Sequence, residues 1–323
     1  MDFATARVYA IGLRNRFRGI TVREGVLLRG QAGWGEFCPF DDYSDDECVP
    51  WLRSALEAAD QGWPSPVRDR VQVNTTIPVV SPQQAHDLAV RSGCRTAKIK
   101  VADSRSTHAE DCERVAAVRD ALGAGGAIRV DANGAWDVDA AVSAINDLDR
   151  AAAGLEYVEQ PCPSIDELAA VRRRTHVRIA ADESIRRAED PLKVAVSGAA
   201  DVAVLKVAPL GGVRRALRVA ESCGLPCVVS SAVESSVGLA AELALAAALP
   251  KLDFACGLGT ISLLSADVTG NSLSPVDGEL TAVPHAPEPE LFSYVAADRE
   301  TRDRWLSRLH RVAALLTDAE RNR

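Results

Sequence analysis

Lysine is nearly absent from this chain. Of 37 basic residues only five are lysine, at positions 98, 100, 193, 206 and 251, and arginine supplies the rest. Positive charge as a whole is also in deficit. The 45 acidic residues leave a net charge of −8, which argues against the basic face that nucleic acid requires. Long apolar runs are missing too. The longest, residues 237–249, is interrupted by Glu242 and falls short of the roughly 18 apolar residues a membrane helix needs. The opening residues show no basic stretch followed by an apolar core, so no secretory leader is expected and the chain should be soluble and cytoplasmic. Among the eight cysteines there is no C-x-x-C pair, and only Cys223 and Cys227 lie close together. Without paired histidines either, zinc and a disulfide framework are both disfavoured, and reduced, mostly buried thiols are expected.

What remains is an ordinary globular composition, 47% hydrophobic and 25% charged over 323 residues. That is enough for a large core, and the length suits a barrel with a small partner domain. From residue 72 onward a short apolar run rich in Val and Ile alternates with a longer helical stretch. The strand-like runs are residues 72–80, 96–102, 127–133, 155–162, 177–184, 201–209, 226–233 and 254–260. Ala-rich amphipathic stretches such as 107–122, 138–153 and 213–223 lie between them, and Ser81-Pro82 and Ser164-Ile-Asp-Glu167 are helix-start signals. Eight such repeats predict a closed parallel (β/α) barrel rather than an open sheet. The glycine-rich dinucleotide fingerprint is absent after the first run, which disfavours the open alternative further.

Residues 1–71 break that rhythm. Residues 6–13, 25–29 and 33–37 predict an antiparallel meander, and residues 45–59 a helix. The tail from 261 to 323 is Pro-rich at first and ends in a predicted helix, residues 297–316. The expected organisation is an α+β cap from 1–71, a barrel from 72–260, and a C-terminal segment that completes the cap over the barrel mouth.

Barrels of this kind carry their chemistry at the C-terminal ends of the strands. The second predicted strand ends Lys98-Ile-Lys100, the third Asp131-Ala-Asn133, the fourth Glu159-Gln160, the fifth Asp182-Glu183, and the sixth holds Lys206. Three successive strand-end acids would repel one another unless a cation lay between them. Oxygen-only ligation with open positions favours Mg²⁺. Separate solvated acids with local ion pairs are the plainer alternative. Lys98 and Lys100, two apart on a strand, share one side. A lysine desolvated beside a cation loses its proton more readily, and a neutral amine there can remove an α-proton from a metal-bound carboxylate. Each lysine taken alone is more often a snorkelling or ion-paired surface group.

Lysines on the second and sixth strands with acids on the third, fourth and fifth resemble the enolase superfamily. K-x-K with the sixth-strand lysine resembles its muconate-lactonising-enzyme subgroup. Residues 96–101 (TAKIKV), 130–136 (VDANGAW), 156–162 (EYVEQPC) and 230–240 (SSAVESSVGLA) are most similar to the o-succinylbenzoate synthases of that subgroup, and Gly33-Trp34-Gly35-Glu36 resembles the cap hairpin. The resemblance covers nearly the whole chain. It implies a TIM-like (β/α)7β barrel with an α+β capping domain. It also implies Mg²⁺, or Mn²⁺ in its place, on Asp131, Glu159 and Asp182, with Lys100 and Lys206 as acid/base groups. Lys98, Asn133 and Glu183 would support them. The implied reaction is a syn-dehydration of 2-succinyl-6-hydroxy-2,4-cyclohexadiene-1-carboxylate to o-succinylbenzoate, in menaquinone biosynthesis.

Substrate contacts are less marked. Residues 16–25 resemble the mobile cap loop of these enzymes, where Arg16, Arg18 or Arg23 would meet the charge of a dicarboxylate substrate and Thr21 is a further substrate-binding candidate; plain surface charge is the simpler reading of each arginine. Ser230, Ser231, Gly257 and Gly259 on the seventh and eighth strands are further candidates, although turn serines and packing glycines look the same in sequence. An N-succinylamino-acid racemase needs the same two lysines and stays open, as does, more remotely, a Schiff-base aldolase using Lys206. The dipeptide epimerases of the subgroup show Asp-x-Asp in the eighth strand. Here that strand reads FACGLGT, which counts against them.

Overall fold

The computed structural model describes residues 3–186 and 198–321. Its centre is a seven-stranded parallel sheet in the order β11-β10-β9-β8-β7-β6-β5. These strands are β5 (Thr75–Ile77), β6 (Thr96–Lys100), β7 (Ala127–Asp131), β8 (Tyr157–Glu159), β9 (Ile179–Ala181), β10 (Val202–Leu205) and β11 (Cys227–Val229). Their residues are almost all buried, as expected for a parallel sheet covered on both faces, so they read as continuous apolar runs in the sequence.

The eighth predicted strand is reduced to two bridging residues. Cys256 bridges to Val73 and Gly257 to Ser230, both in parallel, so this short segment joins the two edges of the sheet and closes the barrel. The chain then turns at once into the 3-10 helix Gly259–Leu263. Close contact explains the brevity. A Cβ on Gly259 would lie 2.6 Å from the Asn74 carbonyl, and one on Gly257 would lie 2.5 Å from Ser230 Oγ. The first predicted strand also divides. β4 (Arg70–Gln72) pairs antiparallel with β12 (Glu279–Thr281), and only β5 enters the barrel.

Helices start where polar caps precede apolar periodicity. Reciprocal capping boxes open α1 (Asp45–Asp60) from Ser44 and Glu47, and α2 (Pro82–Ser92) from Ser81 and Gln84. Thr107 with Glu110 and Ser164 with Glu167 do the same for α3 (His108–Leu122) and α5 (Ile165–Arg172). Asp137 alone caps α4 (Val138–Ala152). The helix Ser236–Ala248 is buried over nearly its whole surface, which accounts for the apolar run 237–249 without a membrane. Among the described residues no helix is long and apolar enough to cross a membrane.

The cap holds a second core. β1 (Arg7–Phe17), β2 (Ile20–Gly30) and β3 (Gly33–Phe37) form an antiparallel meander. Phe37, Trp51, Leu52, Trp305 and Leu309 knit it to α1 and to the C-terminal helix Arg299–Arg321. Residues 16–25, expected as a mobile loop, instead form the tip of the β1–β2 hairpin. Arg18 and Gly19, at φ 48° and 81°, make its two-residue turn.

Candidate active site

The ends of β6 through β10 place five charged side chains in one row. Asp131 on β7 sits in register with Lys100 on β6 and with Glu159 on β8. Asp182 follows β9, and Lys206 follows β10. The register aligns Lys100, Asp131 and Glu159, whereas Asp182 lies two residues beyond Ala180, the partner of Glu159, and Lys206 three beyond Ala203, the partner of Ala181. Lys98 Nζ donates to Glu159 Oε1 at 2.7 Å and lies 3.4 Å from Asp131 Oδ2. Lys100 Nζ donates to Asp131 Oδ2 at 2.5 Å and to Asn133 Oδ1 at 2.7 Å. Lys206 Nζ donates to Asp182 Oδ2 at the other end of the row.

These are low-dielectric pairs, and their charge states follow. Burial works against Lys98, but Glu159 and then Asp131 reverse that and raise its pKa. Lys98 is a fixed cation. Burial also works against Lys100; Asp131 offsets it only in part and the neighbouring Lys98 adds to it, so the pKa of Lys100 is lowered. Of the K-x-K pair, then, the outer lysine is the one poised to give up a proton. Burial raises the pKa of Asp131, yet Lys100 and Lys98 more than reverse this and hold it ionised. Glu159 is pushed up to about 7 by burial and then by the negative charge of Asp131.

Asn133 reaches left-handed backbone (φ 48°) beside the row. Its amide N–H donates to Asp131 Oδ1 at 3.1 Å and its Nδ2 to Glu183 Oε1 at 3.3 Å. Gln160, also at positive φ (40°), was given no role from sequence. Its Oε1 accepts from the amides of Asp182 and Ser184 at 3.0 and 3.2 Å, and its Nε2 donates to Ser184 Oγ at 2.7 Å. It thereby ties the end of β8 to the end of β9. Being neutral, it stands out in the sequence only as the neighbour of Glu159.

Above the row lies a cavity of about 30 Å³, lined by Lys98, Lys100, Asp131, Asn133 and Lys206 of the barrel and by Phe17, Arg18 and Phe40 of the cap. Ser230, Ser231, Thr76 and Thr260 also line it. Ser231 Oγ and Thr260 Oγ1 are hydrogen-bonded at 2.5 Å. Arg18 belongs to this wall and stacks over Phe40 at 4.4 Å. Thr21 is exposed on β2, outside the cavity, and Arg16 is exposed as well. Gly257 and Gly259 do not line it and are held by the close approaches described above. Arg23 is buried on the far side of Phe40, 4.3 Å from the ring, and donates to the carbonyls of Val233 (3.1 Å) and Cys38. It fastens the cap to the barrel.

The donor set suits a hard dication. It is all carboxylate, and Glu159 Oε2 is buried with no hydrogen-bond partner. Among the described residues no three acidic, histidine or cysteine side chains are drawn close enough together to enclose an ion. The lysine ammonium groups lie between the acids instead.

Comparison with known proteins bears on the family. Residues 81–287 match the family described as enolase C-terminal domain-like, and residues 8–59 the family described as enolase N-terminal domain-like. The o-succinylbenzoate synthase of Thermobifida fusca is 64% identical over 85% of this chain and 86% of its own length. That of Mycolicibacterium smegmatis is 51% identical over 96% of this chain and 95% of its own. The structure of an N-succinyl Arg/Lys racemase from Bacillus cereus superposes with a TM-score of 0.76 at 20% identity, covering 91% of this chain and 97% of that one. At that identity the likeness concerns the fold.

Proposed function

Because this chain belongs to the enolase superfamily and, within it, to the o-succinylbenzoate synthases, we propose that the row from Lys98 to Lys206 carries out their dehydration. The substrate is 2-succinyl-6-hydroxy-2,4-cyclohexadiene-1-carboxylate and the products are o-succinylbenzoate and water, a step of menaquinone biosynthesis. One observation supports the assignment of roles: Lys100 and Lys206 line one cavity under the cap together with Asp131, and they pair with Asp131 and Asp182 at the two ends of the row.

Enolase-superfamily enzymes generally bind Mg²⁺. In this chain Asp131, Glu159 and Asp182 would hold it, and when bound it supplies positive charge to the substrate carboxylate. Lys100, with its lowered pKa, removes the proton α to that carboxylate. The electron pair left behind forms the new ring double bond as the C–O bond breaks. Lys100 returns its proton to the departing hydroxyl, which leaves as water from the same face. Lys206, on the opposite flank, faces the charge that builds there. Lys98 holds Glu159 in place by its hydrogen bond, and Asn133 orients Lys100 and Asp131. Arg18 on the hairpin tip meets the remote carboxylate of the dicarboxylate substrate. A cytoplasmic location accords with the absence of any membrane-length apolar helix among the described residues.

The test is a spectrophotometric dehydration assay with Mg²⁺ and then with EDTA. Turnover that chelation abolishes is the expected result. A Lys100→Ala chain should lose at least about 1,000-fold in kcat. Dehydration by Lys100→Ala at the unaltered rate would refute the assignment. The presence of both lysines in one cavity favours N-succinylamino-acid racemisation as a second reading. Solvent deuterium incorporated at the α-carbon of both enantiomers of an N-succinylamino acid would establish it.

A further inference from the structure

We infer that Glu242 is a positioning residue for Lys206, acting from outside the barrel wall through the peptide that follows the lysine. The inference rests on the dehydratase reading of the site. Glu242 is the one acid in the apolar run of the helix Ser236–Ala248, and only 1% of it is exposed. An ionisable group so deeply buried is costly unless it is bonded. Both its oxygens accept from the Val207 N–H, at 2.8 and 2.9 Å, and the Ala208 amide also bonds to it.

Those two amides open the helical turn Val207–Leu210, whose N-cap residue is Lys206. The turn is only four residues long and Lys206 gives it no side-chain cap, because an ammonium group has no acceptor to offer the amides, and its Nζ donates to Asp182. Glu242 takes the place of the missing cap. The direction in which Lys206 leaves β10 is therefore set by a carboxyl that never enters the cavity. The far end of the segment is fixed separately. Glu57 of α1 accepts from the Arg214 amide at 3.2 Å and from its guanidinium at 3.0 Å. Lys206 thus sits on a short span clamped at both ends.

Burial, and then the charge of nearby Glu234, raise the pKa of Glu242 and favour its neutral form. A neutral acceptor has a close mimic in glutamine, whereas leucine keeps the volume and removes the acceptor. Kinetics of dehydration should show kcat lowered about 10- to 100-fold in Glu242→Leu, the scale expected for misplacing a reacting group by about 1 Å. Glu242→Gln should stay within about 3-fold of the unaltered chain, since it keeps the acceptor.

A loss of structure would also lower kcat, so the decisive readout is a double-mutant cycle on o-succinylbenzoate affinity. Glu242→Leu should weaken binding about 10-fold when Lys206 is present and leave it nearly unchanged in a Lys206→Ala background. Equal weakening in both backgrounds overturns the inference, as does unchanged kcat in Glu242→Leu. Should the leucine chain not fold, Glu242→Asp, one methylene shorter, replaces it in the same cycle with the same two outcomes. An unaltered chain that neither dehydrates nor binds the product refutes the parent reading, and the inference with it.

Discussion

At the scale of single residues, the chemistry lies in groups whose neighbours decide their charge. The two lysines of K-x-K look equivalent in the sequence, and strand alternation correctly puts them on one side. They differ because Lys98 faces Glu159 and Asp131 while Lys100 loses more to burial than Asp131 returns. That difference depends on distances a sequence does not contain. Gln160 was missed for another reason: its hydrogen bonds to Asp182 and Ser184 arise from a positive φ, and no residue type announces that. Glu159 offers the sharpest test at this scale, because one of its oxygens is buried without a partner. Glu159→Gln removes a carboxylate from the centre of the row and leaves Lys98 with Asp131 as its remaining counter-charge in the row. Mg²⁺ affinity measured calorimetrically without substrate should fall by more than the roughly 10- to 100-fold that loss of a supporting partner costs. Retained affinity would remove Glu159 from the ligand set.

Among the secondary-structure elements, the barrel strands were legible because a parallel sheet buried on both faces must read as repeated apolar runs. The strand ends carrying the acids were legible for the same reason, since each acid interrupts its run. The eighth strand was not. Its residues 254–260 have the right composition, but Gly257 and Gly259 are pressed against Ser230 and Asn74, and only two residues bridge. The hairpin tip was misjudged as a loop because Arg18-Gly19 is a two-residue turn without the Asn-Gly or Asp-Gly signature. Its position matters for function. A cavity of about 30 Å³ holds roughly one water, so a substrate of eleven carbons cannot enter until the tip moves away from the row. Arg18 stacked on Phe40 is the contact that must re-form on closure. A cation–π contact of about 0.5–2 kcal/mol corresponds to roughly 2- to 30-fold in affinity. Arg18→Ala should therefore raise KM by a factor in that range and leave kcat within about 3-fold, because Arg18 bears on binding rather than on the reacting atoms. A fall in kcat at constant KM would place Arg18 in the chemistry instead.

On the scale of the whole molecule, cap and barrel are joined through buried acids that lie far apart in the chain and share no sequence pattern. Glu36 on β3 accepts from Tyr9 Oη at 2.6 Å, from the Ser235 amide at 3.1 Å and from the Gly238 amide at 2.9 Å, at the N-terminus of the helix Ser236–Ala248. A carboxylate there is favoured by the helix dipole and by the unpaired amides. Behind it, burial raises the pKa of Glu234 and of Glu242; for Glu234 the charge of Glu36 adds to this, and for Glu242 that of Glu234. The consequence for stability has a definite sign. Both groups hold a proton in the folded chain above the pH where the unfolded chain releases it, so the folded state binds more protons. Stability then falls as pH rises from about 4.5, by at most about 1.4 kcal/mol per pH unit for each group, until its folded pKa is reached. Glu242→Gln removes one of the two contributions and keeps the acceptor. Its melting temperature should match that of the unaltered chain near pH 4 and exceed it increasingly from pH 5 to 7, by roughly 1–2 °C for each kcal/mol gained. Parallel melting curves across that range would mean that Glu242 is already ionised in the folded chain, with Lys206 as its counter-charge.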